Sequence, residues 1–591
     1  MPDLPNMPPS GARPGYPPAL DRSIADVAAR SQRLVRDWLA RQSHEAQPIN
    51  AGLVASAFLD MTAQLMRDPT RVVRASIGFW QDYMTLWQSS ARRMWGMDVP
   101  PVISAAPSDR RFDGEAWNSS EVFGFIKQSY LLSARYIQDV TGSTASPDPH
   151  AAQRVDYYAR HFISAMSPAN FLLTNPEALR RTAETGGENL LRGLSNLLSD
   201  LERGRGRLLA GAGSSRLGQD LAATPGKVVF QNRLMQLIQY APATEQVLRR
   251  PLLIVPPWTG KFYVLDLQPR NSMIRWAVSQ GHTVFCISWV NPDEGFADAG
   301  FEDYVRDGIL AALDAITEAT GEQEVNAAGY SVGGTLLTAA LAGMAVVGDA
   351  RIRSLSLFAT MLDFTEAGGL GVFMDEEGLR CLEEGPEARG GMTTQTGMLR
   401  ANDLIWSFVV NTYLLGAEPF PFDLLHWNAD ATRLPAALHG FYLRRIYQEN
   451  LLRVPGGLTL LGQPVDLGRI TVPSYALAAR EDHIAPWASA YRGAALLGGE
   501  RRFVLAGSGH VAGVVNPPDG GRYTYWIGGT LPKAPEEWLA GAIEMSGSWW
   551  PDWHRWVLAQ EAATVPARVP ETGGLPVLED APGSYVMVRT A

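Results

Sequence analysis

Val325-Asn326-Ala327-Ala328-Gly329-Tyr330-Ser331-Val332-Gly333-Gly334-Thr335 is the stretch on which the reading of the fold turns. Val325 to Ala328 is a short apolar run, and Thr335 to Ala345 reads as a helix. Between them the chain spells Gly-x-Ser-x-Gly with Ser331 at the apex. A strand that turns sharply into a helix and lifts a serine off the end of a sheet is a nucleophile elbow. Small residues on both sides of Ser331 let the backbone turn without a Cβ clash. The bare motif is short enough to recur by chance; the strand before it and the helix after it give it weight.

Working outward, short apolar runs recur from about residue 228 onward: Leu252 to Val255, Thr283 to Ile287, Leu355 to Ala359, Ser474 to Ala478 and Phe503 to Ala506. Near-continuous hydrophobicity in such short runs predicts strands buried on both faces, as in a parallel sheet. Helical stretches such as Phe301 to Ala319 sit between them, giving a βαβ pattern. The fold class expected is α/β, an α/β-hydrolase fold over 228–591. The stretch from about 362 to 470 breaks the alternation and is placed to form a cap. Residues 21 to 227 read as a helical N-terminal domain. Val73, Ile77, Trp80, Met84 and Trp87 recur at spacings of three and four, one face of a helix over 68–95. Glu121 to Val140 and Pro176 to Leu198 read similarly, with Pro100-Pro101, Pro147 and Gly186-Gly187 as turn signals. Residues 1–20 are Pro-rich and polar, and read as a disordered tail.

An acyl-transfer serine needs a base, and the base needs an orienting acid. In this fold the chain order is Ser, then Asp or Glu, then His, on loops that follow strands. Asp482 follows Ser474 to Ala478, and His510 follows Phe503 to Ala506. Ser331 is therefore the expected nucleophile, His510 the base and then acid, and Asp482 the group that holds the imidazole. A lone Asp after a strand is usually a turn residue, and a lone His is usually structural; it is their joint order and placement that counts. His483 is a rival base beside Asp482 and a residue expected near the site. The oxyanion hole should take the backbone N–H of Val332 and a second from the loop Pro256-Pro257-Trp258-Thr259-Gly260-Lys261. Thr259 is the best donor there, because the prolines have no N–H.

The 591 residues carry a net charge of −10, which argues against nucleic acid as the main partner. The hydrophobic fraction of 46% supports a full core. Cys286 and Cys381 are the only cysteines, which excludes a disulfide scaffold and fits a reducing cytosol. No run of apolar residues is long enough to predict a membrane span. No His/Cys cluster has zinc spacing, so neither metal nor cofactor is expected.

Longer stretches carry a family resemblance. LLIVPPWTGKFYVLDLQPRNSMIRWAVSQGHTVFCISWVNP, TMLDFTEAGGLGVFMDE, NDLIWSFVVNTYLLG, LLHWNADATRLP, REDHIAPW and GSGHVAGVVNPP resemble class I polyhydroxyalkanoate synthases. So do DPTRVVRASIGFWQDYMTLWQ and DRRFDGEAWNSSEVFGFIKQSYLLSARYI toward the N-terminus. The resemblance implies polymerisation of (R)-3-hydroxyacyl-CoA, such as 3-hydroxybutyryl-CoA, with release of CoA. It also implies a triad at Ser331, Asp482 and His510, a cap over roughly 362–470, and a cytoplasmic dimer at the surface of polyester granules. Two positions depart from the family. Gly260-Lys261 stands where Asn-Lys is usual, and Ser331 stands where the nucleophile is cysteine.

The second departure matters chemically. Cysteine takes an acyl group from CoA as thioester to thioester, and is partly thiolate near neutral pH. Serine depends on its base and forms a less reactive oxoester. Three readings follow: a polymerase working through serine, a hydrolase or thioesterase acting on hydroxyacyl-CoA or polyester, and a weakly catalytic granule-associated homologue. The first is favoured, because the match runs through the N-terminal region and the cap.

Overall fold

The computed structural model describes residues 69–106, 109–142, 149–202, 216–373, 406, 408–417, 423–430, 432–521 and 523–589. The tail expected over 1–20, Cys381 and part of the expected cap interval lie outside these residues. The described residues fall into two compact units. One draws on 1–146, 158–211 and 402–420, the other on 147–157, 212–401 and 421–591.

The first unit is helical. Helices α1 (Pro69–Met94) and α2 (Glu121–Thr141) pack side by side. Ser120 caps α2 by accepting the Phe123 N–H, which satisfies one of the donors a helix start leaves open. Helix α1 turns Leu86 fully inward, while Val73, Ile77, Trp80, Met84 and Trp87 remain 54–60% exposed. Pro176 to Leu198, read as one helix, is two: α3 (Pro176–Glu184) and α4 (Glu188–Glu202). Gly186 and Gly187 both adopt positive φ between them (59° and 89°), which ends the first helix in a conformation most residues avoid. Residues 408–417, inside the expected cap interval, pack on α4. Asn189 Nδ2 donates to the Leu414 carbonyl at 2.8 Å. A Cβ on Gly193 would stand 2.0 Å from the Tyr413 carbonyl oxygen, so only glycine permits the approach.

The second unit is built on one large sheet. Its strands are β1 (Gly226–Gln231), β2 (Met235–Tyr240), β3 (Leu252–Val255), β4 (Val284–Trp289), β5 (Val325–Tyr330), β6 (Ile352–Phe358), β7 (Ser474–Ala479), β8 (Arg501–Ala506), β9 (Thr524–Ile527), β10 (Ile543–Ser546) and β11 (Glu579–Asp580). Their order across the sheet is β10-β9-β8-β7-β6-β5-β3-β4-β2-β1-β11. The six neighbours from β4 to β8 are mutually parallel, while β1, β2, β9, β10 and β11 pair antiparallel. Every residue of β3, β4, β5 and β7 is buried, as expected where helices cover both faces of a parallel sheet. Helix α5 (Met273–Ser279) returns the chain from β3 to β4, and α7 (Val332–Val347) returns it from β5 to β6. Between them in sequence, α6 (Ala311–Thr320) leads into β5. Strand order therefore reverses between β3 and β5, so a crevice opens at their carboxyl ends, where such sheets bind ligands. A late helix, α8 (Trp550–Gln560), drives Trp549, Trp550 and Trp553 into the core at 0–1% exposure. The Trp549 ring lies 4.9 Å from Phe358.

Candidate active site

Ser331 sits at the reversal point. It follows the last residue of β5 and holds φ 52° and ψ −127°, a strained conformation for a residue with a Cβ; such strain is of order 1–3 kcal/mol. The surroundings enforce it. Ser331 N–H donates to the Phe358 carbonyl at 2.8 Å. A Cβ on Gly329 would fall 2.3 Å from Gly334 Cα, and one on Gly333 would fall 2.4 Å from the Val255 carbonyl oxygen. The second contact brings the loop after β3 against the first turn of α7, so residues 256–261 border the crevice beside Val332.

The loops after β7 and β8 arrive by register. Ala479 pairs with Ala506 at the strand ends. Beyond them Arg480 N–H donates to the Ala506 carbonyl at 2.8 Å and Glu481 N–H to the Ser508 carbonyl at 2.9 Å. This zipper carries Asp482 and His510 to the same edge of the sheet. His510 Nδ1 lies 2.6 Å from Asp482 Oδ2. Asp482 Oδ1 accepts the N–H groups of Ile484 and Ala485, each at 2.8 Å. A carboxylate only accepts, so in the neutral imidazole this contact places the proton on Nδ1 and leaves Nε2 with its lone pair. That Nε2 lies 3.0 Å from Ser331 Oγ. The Asp482 side chain is fully buried and the His510 side chain is 5% exposed, so the pair works out of reach of bulk water. Ser331, Asp482 and His510, distant in sequence, form one continuous hydrogen-bonded chain. Its direction suits proton withdrawal from the serine hydroxyl.

Other sequence candidates fall as follows. Val332 opens α7, and Thr259 lies on the loop that follows Val255, where the Val255 and Pro256 carbonyls leave no room for a Cβ on Gly333. His483 is exposed, and its carbonyl accepts the Gly369 N–H at 2.9 Å. Cys286 is fully buried in β4, and burial pushes its thiol well above the ordinary value; a thiol held neutral there is no alternative nucleophile. Among the described residues no cluster of three or more His, Cys, Asp or Glu could hold a metal.

Several neighbours escape sequence reading. The Tyr330 ring stacks on His510, with centroids 5.5 Å apart and planes at 30°. Its hydroxyl donates to the His510 carbonyl at 3.3 Å. The segment Ala436–Gln448 brings Tyr442 edge-on to Trp258 at 5.3 Å. It also places Tyr447 near Asp482; burial pushes that phenol up, and the Asp482 charge adds to the effect. The only hint in the sequence was the aromatic richness of this stretch.

A hydrogen-bonded Ser-His-Asp chain, its acid and base buried, at the strand-order reversal of a mixed sheet with a parallel centre defines an α/β-hydrolase-fold protein. Residues 250–517 match the family described as alpha/beta hydrolase fold, and residues 108–277 match the one described as poly-beta-hydroxybutyrate polymerase (PhaC) N-terminus. A poly(3-hydroxyalkanoate) polymerase of Methylorubrum extorquens is 49% identical over 89% of this chain and 88% of its own length. The poly(3-hydroxyalkanoate) polymerase subunit PhaC of Rhizobium meliloti is 45% identical over 97% of this chain and 95% of its own. That of Cupriavidus necator is 41% identical over 90% and 91%. The chain belongs to the poly(3-hydroxyalkanoate) polymerase family, and it is a synthase of the acyltransferase type.

Proposed function

We propose that the chain polymerises (R)-3-hydroxyacyl-CoA, of which 3-hydroxybutyryl-CoA is the simplest case, through Ser331, His510 and Asp482. The carrying observation is the 3.0 Å contact between His510 Nε2 and Ser331 Oγ. Ser331 Oγ attacks the thioester carbonyl while His510 Nε2 takes its proton. Asp482 keeps Nδ1 protonated and stabilises the imidazolium that forms. The N–H groups of Val332 and Thr259 hold the tetrahedral oxyanion. His510 returns the proton to the departing sulfur, CoA leaves, and an oxoester remains on Ser331. The hydroxyl of a second hydroxyacyl group then loses its proton to His510 and attacks that ester. His510 returns that proton to Ser331 Oγ as the ester bond breaks, so the chain lengthens by one unit and Ser331 is freed. The catalytic domain is 228–591 and the N-terminal domain 21–227; within the proposed cap interval 362–470, residues 436–448 stand beside Trp258 and Asp482, while 408–417 pack on α4. The working form is a homodimer at the surface of cytoplasmic polyester granules; no described helix is long and apolar enough to cross a membrane.

One observation favours a second outcome. An oxoester on Ser331 is a poorer donor to an alcohol than a thioester on cysteine, so water competes for it wherever it enters. The test is CoA release from (R)-3-hydroxybutyryl-CoA by the chain and by Ser331→Cys, with products separated into polymer and free acid. Polymer from the serine form, increased by cysteine, supports the synthase reading. Free acid from the serine form, with no polymer from either, would replace it with a hydrolase.

A further inference from the structure

Lys261 ends the loop that carries Thr259, yet its side chain does not reach solvent. It is 3% exposed and forms an ion pair at 2.7 Å with Asp430, whose side chain is 5% exposed. Its ammonium also donates to the Val586 carbonyl at 2.7 Å. Asp430 lies just beyond the helix Asp423–Ala429, and that helix grips the loop a second time: Trp427 Nε1 donates to the Lys261 carbonyl at 2.8 Å. The approach is tight, since a Cβ on Gly260 would stand 3.0 Å from Trp427 Cζ2. A third tie comes from Tyr263, whose hydroxyl donates to the other Asp430 oxygen at 2.9 Å. Three stretches, 258–263, 423–430 and the C-terminal 586, thus converge on one buried charge pair.

A buried ion pair is a poor way to stabilise a fold. Desolvation offsets most of its attraction, and an uncharged pair of similar volume is often as good. What it does supply is direction, because each charge is satisfied in one geometry only. We propose that Lys261–Asp430 is a positioning pair that holds the oxyanion loop in register with the elbow, so that the Thr259 N–H points at the developing oxyanion. This rests on the reading of Ser331 as nucleophile and Thr259 as a donor. The pair touches no reacting atom. It ties the 423–430 helix and the C-terminal segment to the loop, so a displacement of either would reach the oxyanion hole. Removing one preorganised donor slows the step by about 10²–10³-fold, and a misplaced donor forfeits part of that.

The test is the rate at which a fluorophosphonate ester modifies Ser331, read by intact mass. In that reaction Ser331 Oγ displaces fluoride from phosphorus, and the phosphoryl oxygen occupies the oxyanion hole, whatever the natural substrate is. Lys261→Met with Asp430→Asn removes both charges of the pair together and keeps an oxygen for Tyr263. The expected result is a maximal labelling rate at least about tenfold slower, an unchanged half-saturating probe concentration, and a thermal midpoint close to that of the parent. A parental rate in the folded double variant would overturn the proposal. So would a slower rate that merely tracks a fall in the thermal midpoint, since that is a structural role. If the double variant does not fold, Tyr263→Phe carries the test by loosening Asp430 alone: at least about twofold slower labelling supports the proposal, and a parental rate overturns it. If the parent itself is not labelled at Ser331, the reading of the site falls, and the positioning pair falls with it.

Discussion

Two helices of this chain are rich in apolar side chains and end in opposite circumstances. Helix α7, behind Ser331, is apolar nearly all round and buries Gly333 to Ala342 and Met344. Helix α1 is apolar along one stripe, and that stripe is 54–60% exposed from Val73 to Trp87. A helix that is hydrophobic on every side has only a core to go to; in α1 it is Leu86 that turns inward while the stripe stays outside. Around α7 every neighbour is specified, down to the missing Cβ of Gly333. Around α1 the side facing α2 is packed through Leu86, the Phe79–Tyr136 ring pair at 5.2 Å and the Tyr83–Phe125 pair at 6.2 Å, and of the stripe Trp87 reaches Phe125 edge-on at 6.0 Å. Substitutions near Ser331 should therefore have large, position-specific effects, and those on the α1 stripe small ones.

The largest expected effect is at His510. His510→Ala should lower CoA release by at least about 10³-fold, since Ser331 loses its base; a residual rate within tenfold of the parent would remove His510 from the mechanism. Next, Gly333→Val should destabilise the second unit by more than about 4 kcal/mol, because the side chain would enter the Val255 and Pro256 carbonyls. Urea unfolding gives the number, and a loss below about 1 kcal/mol would mean that the elbow relaxes easily.

A smaller effect concerns pH. His282 Nε2 lies 3.0 Å from His554 Nδ1, and burial pushes the His282 imidazole down to about 3. Its unfolded value is near 6.5. Between these values the unfolded chain binds the extra proton, so the stability this neutral histidine allows is full above about pH 6.5 and is lost as pH falls toward 3. The slope from this group is at most about 1.4 kcal/mol per pH unit. His282→Gln should flatten the urea midpoint between pH 7 and pH 5 relative to the parent; an unchanged slope would assign the loss to other groups. The smallest effect is expected on the α1 stripe. Trp80→Ser should shift stability by no more than about 0.5 kcal/mol, measured by the same unfolding, and a larger loss would show that the stripe is packed after all.

The sheet around Ser331 was legible because β3 to β8 are short, apolar on both faces and separated by helices. Asp482 and His510 could be located because each follows such a strand in the expected order. The antiparallel margins were not legible. β1, β9 and β10 are short and mix polar with apolar residues, which leaves no continuous run to find. Helix α8 was also unseen: Trp550, Trp553 and Trp556 are as compatible with an exposed aromatic face as with a core. Gly186-Gly187 signalled a turn, but only the two positive φ values show that one helix becomes two. Lys261 was noticed for the glycine beside it. That its partner is Asp430 depends on how residues far along the chain fold back, and neither hydropathy nor spacing carries that information.

The central claim is that the growing acyl chain is borne by Ser331. The most direct measurement is to quench the enzyme during turnover of (R)-3-hydroxybutyryl-CoA and find the acylated residue by peptide mass spectrometry. The expected result is a hydroxybutyryl ester, or a short oligomer of it, on Ser331, and none in Ser331→Ala. An acyl group on any other residue, or the same labelling in Ser331→Ala, would contradict the account.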